Sequence, residues 1–584
     1  MRYLIMLNIL DEICKEAPDQ YKSYKPLPSN IEKLNQARSK AYIHLYLKVK
    51  CGLVNFKARH ALITDKGGDG GVDAYYINKE RKKLYLIQSK FRTTESNFKA
   101  KSVDAGELVK MEVQRILKGE IADSNGNAFN SKIQKLQKEW SEIRDIANYE
   151  IVVIILGNIK KLNDIQIRRL IDNSKYEVFD HNKAYNELIF PLCSGTYYDP
   201  KEITIEINLF EKTEPVLKQR ITTQYGKYEV RILFVPIKEI GRVLSKYKNS
   251  ILQYNPRNYL SLSGNPVNKK IHESIMGTAT NEFAILNNGI TMIATSFRFT
   301  EATGRNEMGQ VIITKPEIIN GGQTAYVLSE VFEKKNDKGT FGNKEVLLKV
   351  IVIDKENNSA TSNFIEEISN ATNQQSKVDE SDRRSNDPIQ IKLQSLIYDK
   401  YGYFYERKKG EFYNGRKEKY LKRELVIERS SFLRSYLALS GDASLARRSS
   451  EKLFEIKFFR KLLSQYEKDF QKMFFAYLLF KYLDKLGRKR RNLDWGGTGL
   501  RYRQMAIIAA IGIIGFDQKK TSDEIKEEIA KRVKKVESKW KSFETWVKKQ
   551  KGNSEYLEEG VLNTDNYYKG KSVNQNIKDF FGNS

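Results

Sequence analysis

Residues 67–90, GGDGGVDAYYINKERKKLYLIQSK, constrain the fold more than any other segment of the chain. Two runs within this segment are rich in β-branched and aromatic residues, VDAYYI and KLYLIQSK, and a polar stretch, NKERKK, separates them. This pattern predicts two antiparallel strands joined by a tight turn. If the turn is centred between Glu80 and Arg81, residues whose numbers sum to 161 lie opposite each other, and Asp73 faces Gln88.

Three polar side chains of this hairpin are predicted to lie close together. Gln88 and Lys90 are two residues apart, so they project from the same face of the sheet, and the register places Asp73 beside them. Asp73 offers a carboxylate and Gln88 a carbonyl oxygen, which are ligand types that Mg²⁺ or Mn²⁺ accepts. Such a cation polarises a phosphoryl oxygen and lowers the pKa of a water molecule, and Lys90 can orient that water or neutralise charge on the phosphate. The group therefore favours a site that hydrolyses phosphodiester bonds.

The segment before the first strand is rich in glycine. Gly67, Gly68, Gly70 and Gly71 leave room for a phosphate backbone to approach closely. An ordinary solvated hairpin after a Gly-rich turn is the alternative, because Asp and Lys are common on exposed strand faces. Spacing alone does not separate these two interpretations.

The residues G-x-D-x-G-V-D followed by I-Q-S-K resemble the core of the PD-(D/E)XK nuclease superfamily, particularly its Mrr-type branch, in which Gln replaces the usual Glu of the second motif. The resemblance covers about residues 25–200, because the apolar run at 149–158 also fits a later core strand of that fold. It implies an N-terminal restriction-endonuclease-like α/β domain. It also implies Asp73 as the principal metal ligand, Gln88 as the second ligand and Lys90 as the catalytic lysine.

Nucleases of this type often carry another carboxylate on the preceding helix. Residues 29–50 begin with a Ser/Asn cap and have apolar residues at helical spacing, so they predict that helix. Glu32 is its acidic residue and is the candidate for this catalytic carboxylate, although it lies near the N-terminal end of the helix. Asp65 and Asp69 in the following loop are the alternatives.

Six further motifs follow one another between residues 254 and 411. They are YNPRNYL (254–260), VNKKI (267–271), FAILNNGITMIA (283–294), PEIINGGQTAYVL (316–328), ISNATNQQSKVDESD (368–382) and GYFYERKKGE (402–411). Together and in this order they resemble the abortive infection phage resistance (AIPR) family. Members of that family frequently carry an N-terminal nuclease domain, so the resemblance implies a role in anti-phage defence and fits the interpretation of the hairpin.

Asn, Gln and Gly at predicted turns are the candidate ligand contacts of this second region. An N-N-G turn precedes one predicted strand, and an N-G-G turn precedes a predicted helix whose first residues could bind phosphate through backbone N–H groups. Simple turn chemistry is the alternative, since Asn and Gly tolerate positive φ. The predicted nucleic-acid or ligand contacts are Arg257, Asn287, Asn288, Asn320, Gln323, Thr324, Asn373 and Arg407.

Two tyrosines near the start of the last motif have two interpretations. Tyr403 and Tyr405 are available for stacking on bases beside basic residues. Alternatively, they form the aromatic face of a buried strand, because they are two residues apart.

The length of 584 residues is too great for one hydrophobic core and predicts two to four domains of mixed α/β structure. The first predicted domain, 1–200, is PD-(D/E)XK-like and contains a buried strand at 149–158 and helices at 103–119 and 131–147. The second, 201–460, is an α+β AIPR domain, and the third, 461–584, is helical. The helical region is predicted to include a buried helix at 505–516 and a charged helix at 522–550.

The net charge and the targeting patterns limit which partners and which location are expected. The formal net charge of +28 predicts a polyanionic partner, although a general Lys bias of the sequence is the alternative. The four histidines are scattered and are expected to be structural or exposed rather than metal ligands. The first residues lack a signal-peptide pattern, and the longest apolar run is shorter than the roughly 20 residues that span a bilayer. A soluble, cytoplasmic protein without a membrane partner is therefore expected.

These observations predict an antiviral, Mg²⁺- or Mn²⁺-dependent endonuclease that prefers DNA to RNA. Double-strand cutting needs two active sites, so a homodimer is expected, and a partner protein of the defence system is a further expectation. The alternative is a non-catalytic sensor that binds nucleic acid or a nucleotide.

Overall fold

The computed structural model describes residues 1–64, 67–255, 266–277, 280–301, 304, 307–334, 341–353, 364–365, 367–369, 371, 380–448, 451–489, 500–518 and 521–582. The chain divides into two compact units. Unit 1 consists of Met1–Gln253, Leu260–Thr361 and Phe412–Lys422, and unit 2 of Tyr254–Tyr259, Ser362–Glu411 and Arg423–Ser584. Helices and several sheets alternate along the chain, so the predicted mixed α/β class is confirmed. The predicted division into three domains stays a prediction.

A four-stranded sheet organises the N-terminal part of unit 1. Its strands, in spatial order, are β1 (Ala74–Asn78), β2 (Lys83–Ser89), β3 (Glu150–Leu156) and β4 (Lys175–Val178). β1 and β2 are antiparallel, whereas β2, β3 and β4 are parallel. Ala74 lies opposite Ile87, which confirms the predicted hairpin register, and β3 confirms the predicted buried strand.

Among the described residues, ten α-helices accompany this sheet. They are α1 (Arg2–Lys15), α2 (Ile31–Cys51), α3 (Phe56–Ala61), α4 (Glu95–Ala100), α5 (Ala105–Val109), α6 (Val113–Leu117), α7 (Ser131–Ser141), α8 (Asp164–Leu170), α9 (His181–Ala184) and α10 (Phe190–Ser194). Apolar residues of α5 to α8 form one core cluster with Tyr75, Leu84 and Leu86 of the hairpin. This face of the sheet also carries Gln88, because Gln88 is two residues beyond Leu86 on the same strand.

The predicted helix at 103–119 is wrong, since the chain forms two short helices, α5 and α6, instead. The break coincides with a close approach of the Gly-rich loop. Glu112 N donates a 2.9 Å hydrogen bond to Gly70 O, and a Cβ atom on Gly71 would lie 2.4 Å from Lys110 O. The backbone groups that a continuous helix would use are thus engaged by the loop that precedes β1.

The rest of unit 1 contains two further sheets. Their strands are β5 (Glu202–Asn208), β6 (Leu217–Thr223), β7 (Gly226–Pro236), β8 (Ile290–Ala294), β9 (Ser296–Thr300), β10 (Met308–Thr314), β11 (Glu317–Asn320) and β12 (Glu345–Val352). The spatial orders are β5-β10-β9 and β11-β8-β12-β7-β6. Among the described residues, four α-helices lie between β7 and β12: α11 (Ile237–Tyr247), α12 (Pro266–Met276), α13 (Phe283–Leu286) and α14 (Gly322–Lys334).

The remaining elements are mostly helical and, apart from α17, belong to unit 2. In chain order the helices are α15 (Glu380–Arg383), α16 (Pro388–Tyr401), α17 (Tyr413–Lys417), α18 (Arg429–Leu439), α19 (Ala443–Arg448), α20 (Ile456–Leu462), α21 (Tyr466–Lys489), α22 (Leu500–Ile514), α23 (Ser522–Lys548), α24 (Thr564–Lys569) and α25 (Ser572–Gly582). The short strands are β13 (Phe404–Glu406), β14 (Val426–Glu428), β15 (Leu557–Glu558) and β16 (Val561–Leu562). The predicted buried and charged helices are confirmed as α22 and α23.

Three of the histidines have structural contacts, as predicted. The Tyr24 hydroxyl shares hydrogen bonds of 3.0 and 3.1 Å with His44 and His60, and His181 lies 3.1 Å from the Asn158 side-chain oxygen. None of the described helices is both long enough and apolar enough to cross a bilayer.

Candidate functional site

Asp73 is held against the end of strand β2 by backbone groups on both sides. Its own N–H donates a 2.8 Å hydrogen bond to Ile87 O. Its side-chain Oδ2 accepts a 2.6 Å hydrogen bond from Ser89 N. These two bonds flank Gln88 and fix the Asp73 carboxylate beside it, as the predicted register requires.

Gln88 is only 4% exposed, and one end of its amide is fixed. Its Nε2 donates a 2.8 Å hydrogen bond to Glu107 O. Because a backbone carbonyl can only accept, this contact sets the orientation of the amide. The Gln88 Oε1 atom is buried and has no hydrogen-bond partner among the described residues. A buried acceptor without a partner is costly, so this oxygen is suited to a cation or an external donor.

Lys90 follows at the edge of the same face. Its backbone N–H donates to Leu156 O at 3.0 Å, which ties the end of β2 to β3. Its Nζ atom lies 3.2 Å from Glu107 Oε1, and both side chains are partly exposed. The ammonium group is therefore positioned by a carboxylate and remains accessible to a ligand.

Glu107 belongs to the first turn of α5, where it completes a capping box with Asp104. Its N–H donates to Asp104 Oδ1 at 2.9 Å, and its carboxylate accepts from Asp104 N at 3.4 Å. Glu107 thus contacts Gln88 through its carbonyl and Lys90 through its carboxylate. Sequence reasoning missed this residue. The D-A-G-E spacing signals a helix start, but it does not reveal that the helix faces the hairpin.

The predicted upstream carboxylates make other contacts in the structure. Glu32 lies in the exposed first turn of α2, where its carboxylate accepts a 3.4 Å hydrogen bond from Gln36. Asp69 Oδ1 accepts a 2.9 Å hydrogen bond from Gly71 N within the Gly-rich turn. Asp65 lies outside the described residues. The carboxylate that the structure brings to Lys90 is that of Glu107.

Two oxygen donors of the site fit a divalent cation. A cation here would use the Asp73 carboxylate and the Gln88 Oε1 atom and would complete its shell with water, as Mg²⁺ commonly does. In the part of the chain that the structure describes, no group of three or more His, Cys, Asp and Glu side chains could hold a metal. The donor set is therefore small and depends on the glutamine.

The surroundings of Lys90 are basic. A small cleft beside it is lined by Lys90, Arg92, Phe98, Lys101, Val103, Gly157, Asn158 and His181. Burial lowers the pKa of His181 from its ordinary value, and Lys160, Arg2 and Lys99 act in the same direction. This positive potential favours an anion at the exposed end of β2.

The two Asn/Gly turns of the second region touch each other. Asn287 Nδ2 donates a 3.3 Å hydrogen bond to Thr324 Oγ1, which joins the turn before β8 to the start of α14. At the other turn, Asn320 Oδ1 accepts from Gly321 N at 2.8 Å. Gly321 has φ of +82°, and a Cβ atom there would lie 2.7 Å from Gly289 O. This close approach requires glycine.

The remaining predicted contacts of these turns differ in exposure. Asn288 is exposed, whereas Thr324 is buried. The Gln323 Oε1 atom at the start of α14 is buried without a hydrogen-bond partner among the described residues. Asn287 and Asn320 also bond to backbone N–H groups of their own turns, as the turn-chemistry alternative requires. A ligand role for these residues stays a prediction.

Arg407 takes part in an internal network of unit 2. Its guanidinium donates to Glu411 at 2.9 Å, to Gln394 at 2.8 Å and to Ser385 O at 3.2 Å. A phosphate contact would have to compete with these bonds. Arg257 and Asn373, the other two predicted contacts, lie outside the described residues.

The predicted stacking role of Tyr403 and Tyr405 is wrong. Both rings are buried in the core of unit 2, and the Tyr405 hydroxyl donates a 2.5 Å hydrogen bond to Gln390 Oε1. The alternative, a buried strand, is confirmed for Tyr405 in β13, and Tyr403 is buried directly before that strand.

Comparison with known proteins adds one finding. The family model described as AIPR protein matches residues 252–555, more than half of the chain. No curated protein and no solved structure matches the chain.

Proposed function

The chain belongs to the AIPR family, and on this basis we propose that it acts in abortive infection against phage. From the hairpin site we further propose that it acts there as a metal-dependent endonuclease. The proposed cleavage site consists of Asp73, Gln88, Lys90 and Glu107. The buried Gln88 Oε1 atom, left without a partner beside a fixed carboxylate, is the observation that carries the proposal.

The architecture around the site supports a PD-(D/E)XK fold for this part of unit 1. An antiparallel hairpin continues into parallel strands β3 and β4, with helices α5 to α8 on the face that carries Gln88. The motif residues lie at the end of β2, where the hairpin meets β3. This arrangement agrees with the one implied by the resemblance of residues 67–90 to those nucleases.

Each residue has a distinct proposed role. Asp73 and Gln88 would hold Mg²⁺ or Mn²⁺, which polarises a phosphoryl oxygen and lowers the pKa of a water molecule when bound. Lys90 donates a hydrogen bond to a non-bridging phosphate oxygen and neutralises the charge that develops there. Glu107 holds the Lys90 ammonium within reach of the phosphate and fixes the Gln88 amide through its carbonyl.

We propose DNA as the substrate in preference to RNA. The net charge of +28 and the basic cleft beside Lys90 support a polyanionic substrate of either kind. Cleavage of both strands of a duplex would need a second copy of the site, so a homodimer is part of the proposal. A partner protein of the defence system that increases the cleavage rate of the chain is also part of it.

The test compares two lysine variants of the same hairpin. The purified full chain is incubated with duplex DNA, single-stranded DNA and RNA in Mg²⁺ or Mn²⁺. We expect Lys90→Ala to lower the cleavage rate about 100-fold or more, the usual effect of losing one donor to a developing negative charge. Lys79→Ala, in the exposed turn of the hairpin, is the control and should cleave like the wild type.

Metal binding gives a second, independent measurement. Calorimetry with Mn²⁺ should detect uptake by the wild type and a loss of uptake in Asp73→Ala. Equal cleavage by the wild type and Lys90→Ala would contradict the proposal. The absence of both metal uptake and cleavage of any nucleic acid would also contradict it.

A sensor is the second candidate function. The N-terminus of the 13-residue helix α14, where Thr324 contacts Asn287, favours an anionic ligand. The partnerless Gln323 Oε1 atom would accept a hydrogen bond from a donor group of the same ligand. In this case Thr324→Val should weaken binding of oligonucleotides, while Asp73→Ala should leave it unchanged. The opposite pattern would assign nucleic-acid binding to the hairpin site instead.

A further inference from the structure

A cavity of about 720 Å³ lies within unit 2, and its lining includes none of the residues proposed above for cleavage or for the sensor. Its lining comes from α21, from α23, from the residue before strand β13 and from the segment before β14. The lining residues are Tyr403, Arg423, Glu424, Tyr477, Leu478, Lys481, Tyr482, Asp484, Lys485, Lys526 and Ile529. Its volume falls in the range of about 300–1,000 Å³ that is usual for small-molecule sites.

One face of helix α21 supplies a regular set of side chains to this cavity. Tyr477, Lys481 and Lys485 are spaced four residues apart, and Leu478 and Tyr482 form the adjacent row. Residues at this spacing lie one above another on a helix. Aromatic and cationic groups therefore alternate along the wall of the cavity.

The cations of the cavity are largely unneutralised. Arg423, Lys481 and Lys485 have no carboxylate partner within 4.0 Å among the described residues, whereas Lys526 is paired with Asp523 at 2.8 Å. The two lining carboxylates, Glu424 and Asp484, are fewer than the four lining cations. Three cations that face one cavity without partners are suited to a group that carries more than one negative charge.

The aromatic side chains differ in how much of the ring is available. Tyr477 is buried, and its hydroxyl donates a 3.3 Å hydrogen bond to Val426 O. Tyr482 is only partly buried, and its hydroxyl has no partner among the described residues. A partly exposed ring between two lysines can stack on a planar group while the lysines reach its charged end.

We propose that this cavity binds a nucleoside phosphate. The base would stack on Tyr482, the phosphates would contact Lys481, Lys485 and Arg423, and Glu424 would accept from a ribose hydroxyl or an exocyclic amine. A base with phosphate occurs as a free nucleotide or at the end of a nucleic-acid strand, and both present the same chemistry. The proposal goes beyond the nuclease function and uses none of its residues.

Calorimetry on the full chain tests the proposal with ATP, GTP, CTP and UTP as separate probes. At least one of these nucleotides is expected to bind. Adenosine, which lacks the phosphates, and inorganic triphosphate, which lacks the base, should each bind at least about tenfold more weakly. A terminally phosphorylated oligonucleotide identifies the source. If it binds more tightly than every mononucleotide and responds to the same variants, the site takes strand ends.

Two matched pairs of variants locate the binding. The double variant Lys481→Glu, Lys485→Glu should weaken binding about tenfold or more, whereas Lys535→Glu, an exposed lysine on the opposite side of α23 from Lys526, should not. Tyr482→Ala should weaken binding, and Tyr482→Phe, which retains the ring, should restore it. Absence of binding for all four nucleotides at about 1 mM, or equal affinity in the double variant and the Lys535→Glu control, overturns the proposal.

Discussion

The charged partner of Lys90 is Glu107, whose carboxylate lies 3.2 Å from the lysine ammonium. Asp73, Gln88 and Lys90 could be identified from the sequence because they belong to one hairpin, whose register and alternation predict which side chains share a face. Glu107 approaches them only because a separate helix, α5, packs on the sheet, and the sequence contains no pattern that reports this contact. The residue assigned to the upstream position from the sequence, Glu32, has the right chemical type but lies in an exposed helical turn.

Conservative variants of these two acidic residues should have different effects. We expect Glu107→Gln to lower the cleavage rate about 10–100-fold, because the variant keeps the carbonyl that orients Gln88 but removes the charge that holds Lys90. Glu32→Gln should cleave at the wild-type rate. Single-turnover rates with Mg²⁺ measure both. A slow Glu32→Gln with an unaffected Glu107→Gln would return the role to Glu32.

His44 gives a pH-dependent contribution to stability. Burial lowers the pKa of His44 well below its ordinary value of 6.5, and Arg59, His60 and Lys48 act in the same direction. Below pH 6.5 the unfolded chain therefore binds a proton that the folded chain excludes. The stabilisation is complete above about pH 6.5 and decreases as the pH falls, by up to about 1.4 kcal/mol for each pH unit.

This contribution can be measured by thermal unfolding between pH 7.5 and 5.5. We expect the unfolding temperature of the wild type to fall more steeply with decreasing pH than that of His44→Gln, which has no group to titrate at this position. His272→Gln, at an exposed position, serves as the control and should follow the wild type. Parallel pH profiles for all three proteins would contradict a buried, neutral His44.

At the scale of elements, local sequence patterns correctly predicted the structures that depend only on residues close together in the sequence. The hairpin register follows from the turn and the alternation of residues, and it was confirmed by the pairing of Ala74 with Ile87. The helix predicted at 103–119 failed because the Gly-rich loop reaches the chain at Lys110 and Glu112. That approach is a tertiary contact, and tertiary contacts override helix propensity.

Gly71 is the residue at which the Gly-rich loop packs against the chain between α5 and α6. A Cβ atom there would lie 2.4 Å from Lys110 O, and the residue has φ of +70°. We expect Gly71→Ala to lower stability by about 1–3 kcal/mol more than Gly119→Ala. Gly119 has φ of +77° but no atom within 4 Å of a Cβ position, so it isolates the backbone strain.

The readouts for Gly71→Ala are thermal unfolding and Mn²⁺ uptake. Displacement of Lys110 also moves α5, which carries Glu107, so the variant should bind Mn²⁺ more weakly than Gly119→Ala. Equal stability and equal metal uptake in the two variants would show that the approach of the loop does not support the site.

At the scale of the whole molecule, one short segment returns from the AIPR-matched region to the N-terminal part of unit 1. Phe412–Lys422 belongs to unit 1 although its sequence neighbours belong to unit 2. Asn8 Nδ2 donates to Lys419 O at 2.8 Å, and a Cβ atom on Gly415 would lie 2.5 Å from Cys193 O. Partners so distant along the chain leave no periodic pattern in the sequence, so the predicted first domain, 1–200, does not include this segment.

Tyr420 is the polar anchor of this segment. Its hydroxyl donates to Glu16 at 2.8 Å and accepts from the buried Lys48 ammonium at 2.7 Å, and Glu16 also pairs with the buried Arg59. Burial lowers the pKa of Lys48, while Glu16 opposes that decrease. Without Tyr420, the buried ammonium would lose one of its acceptors, and such a loss is expensive inside a protein.

A protein that consists of residues 1–200 alone should therefore be less stable than the same region within the full chain. We expect its unfolding temperature, or the protease concentration that degrades it, to be lower than for the N-terminal part of the intact protein. In the full chain, Tyr420→Phe should cost about 1–3 kcal/mol, because Lys48 and Glu16 each lose a buried partner. Tyr466→Phe, whose hydroxyl bonds to Glu467 at the surface, should cost little. If residues 1–200 instead unfold at the temperature of the full chain, the boundary at residue 200 is a true domain limit, and the returning segment is dispensable for the stability of the proposed nuclease.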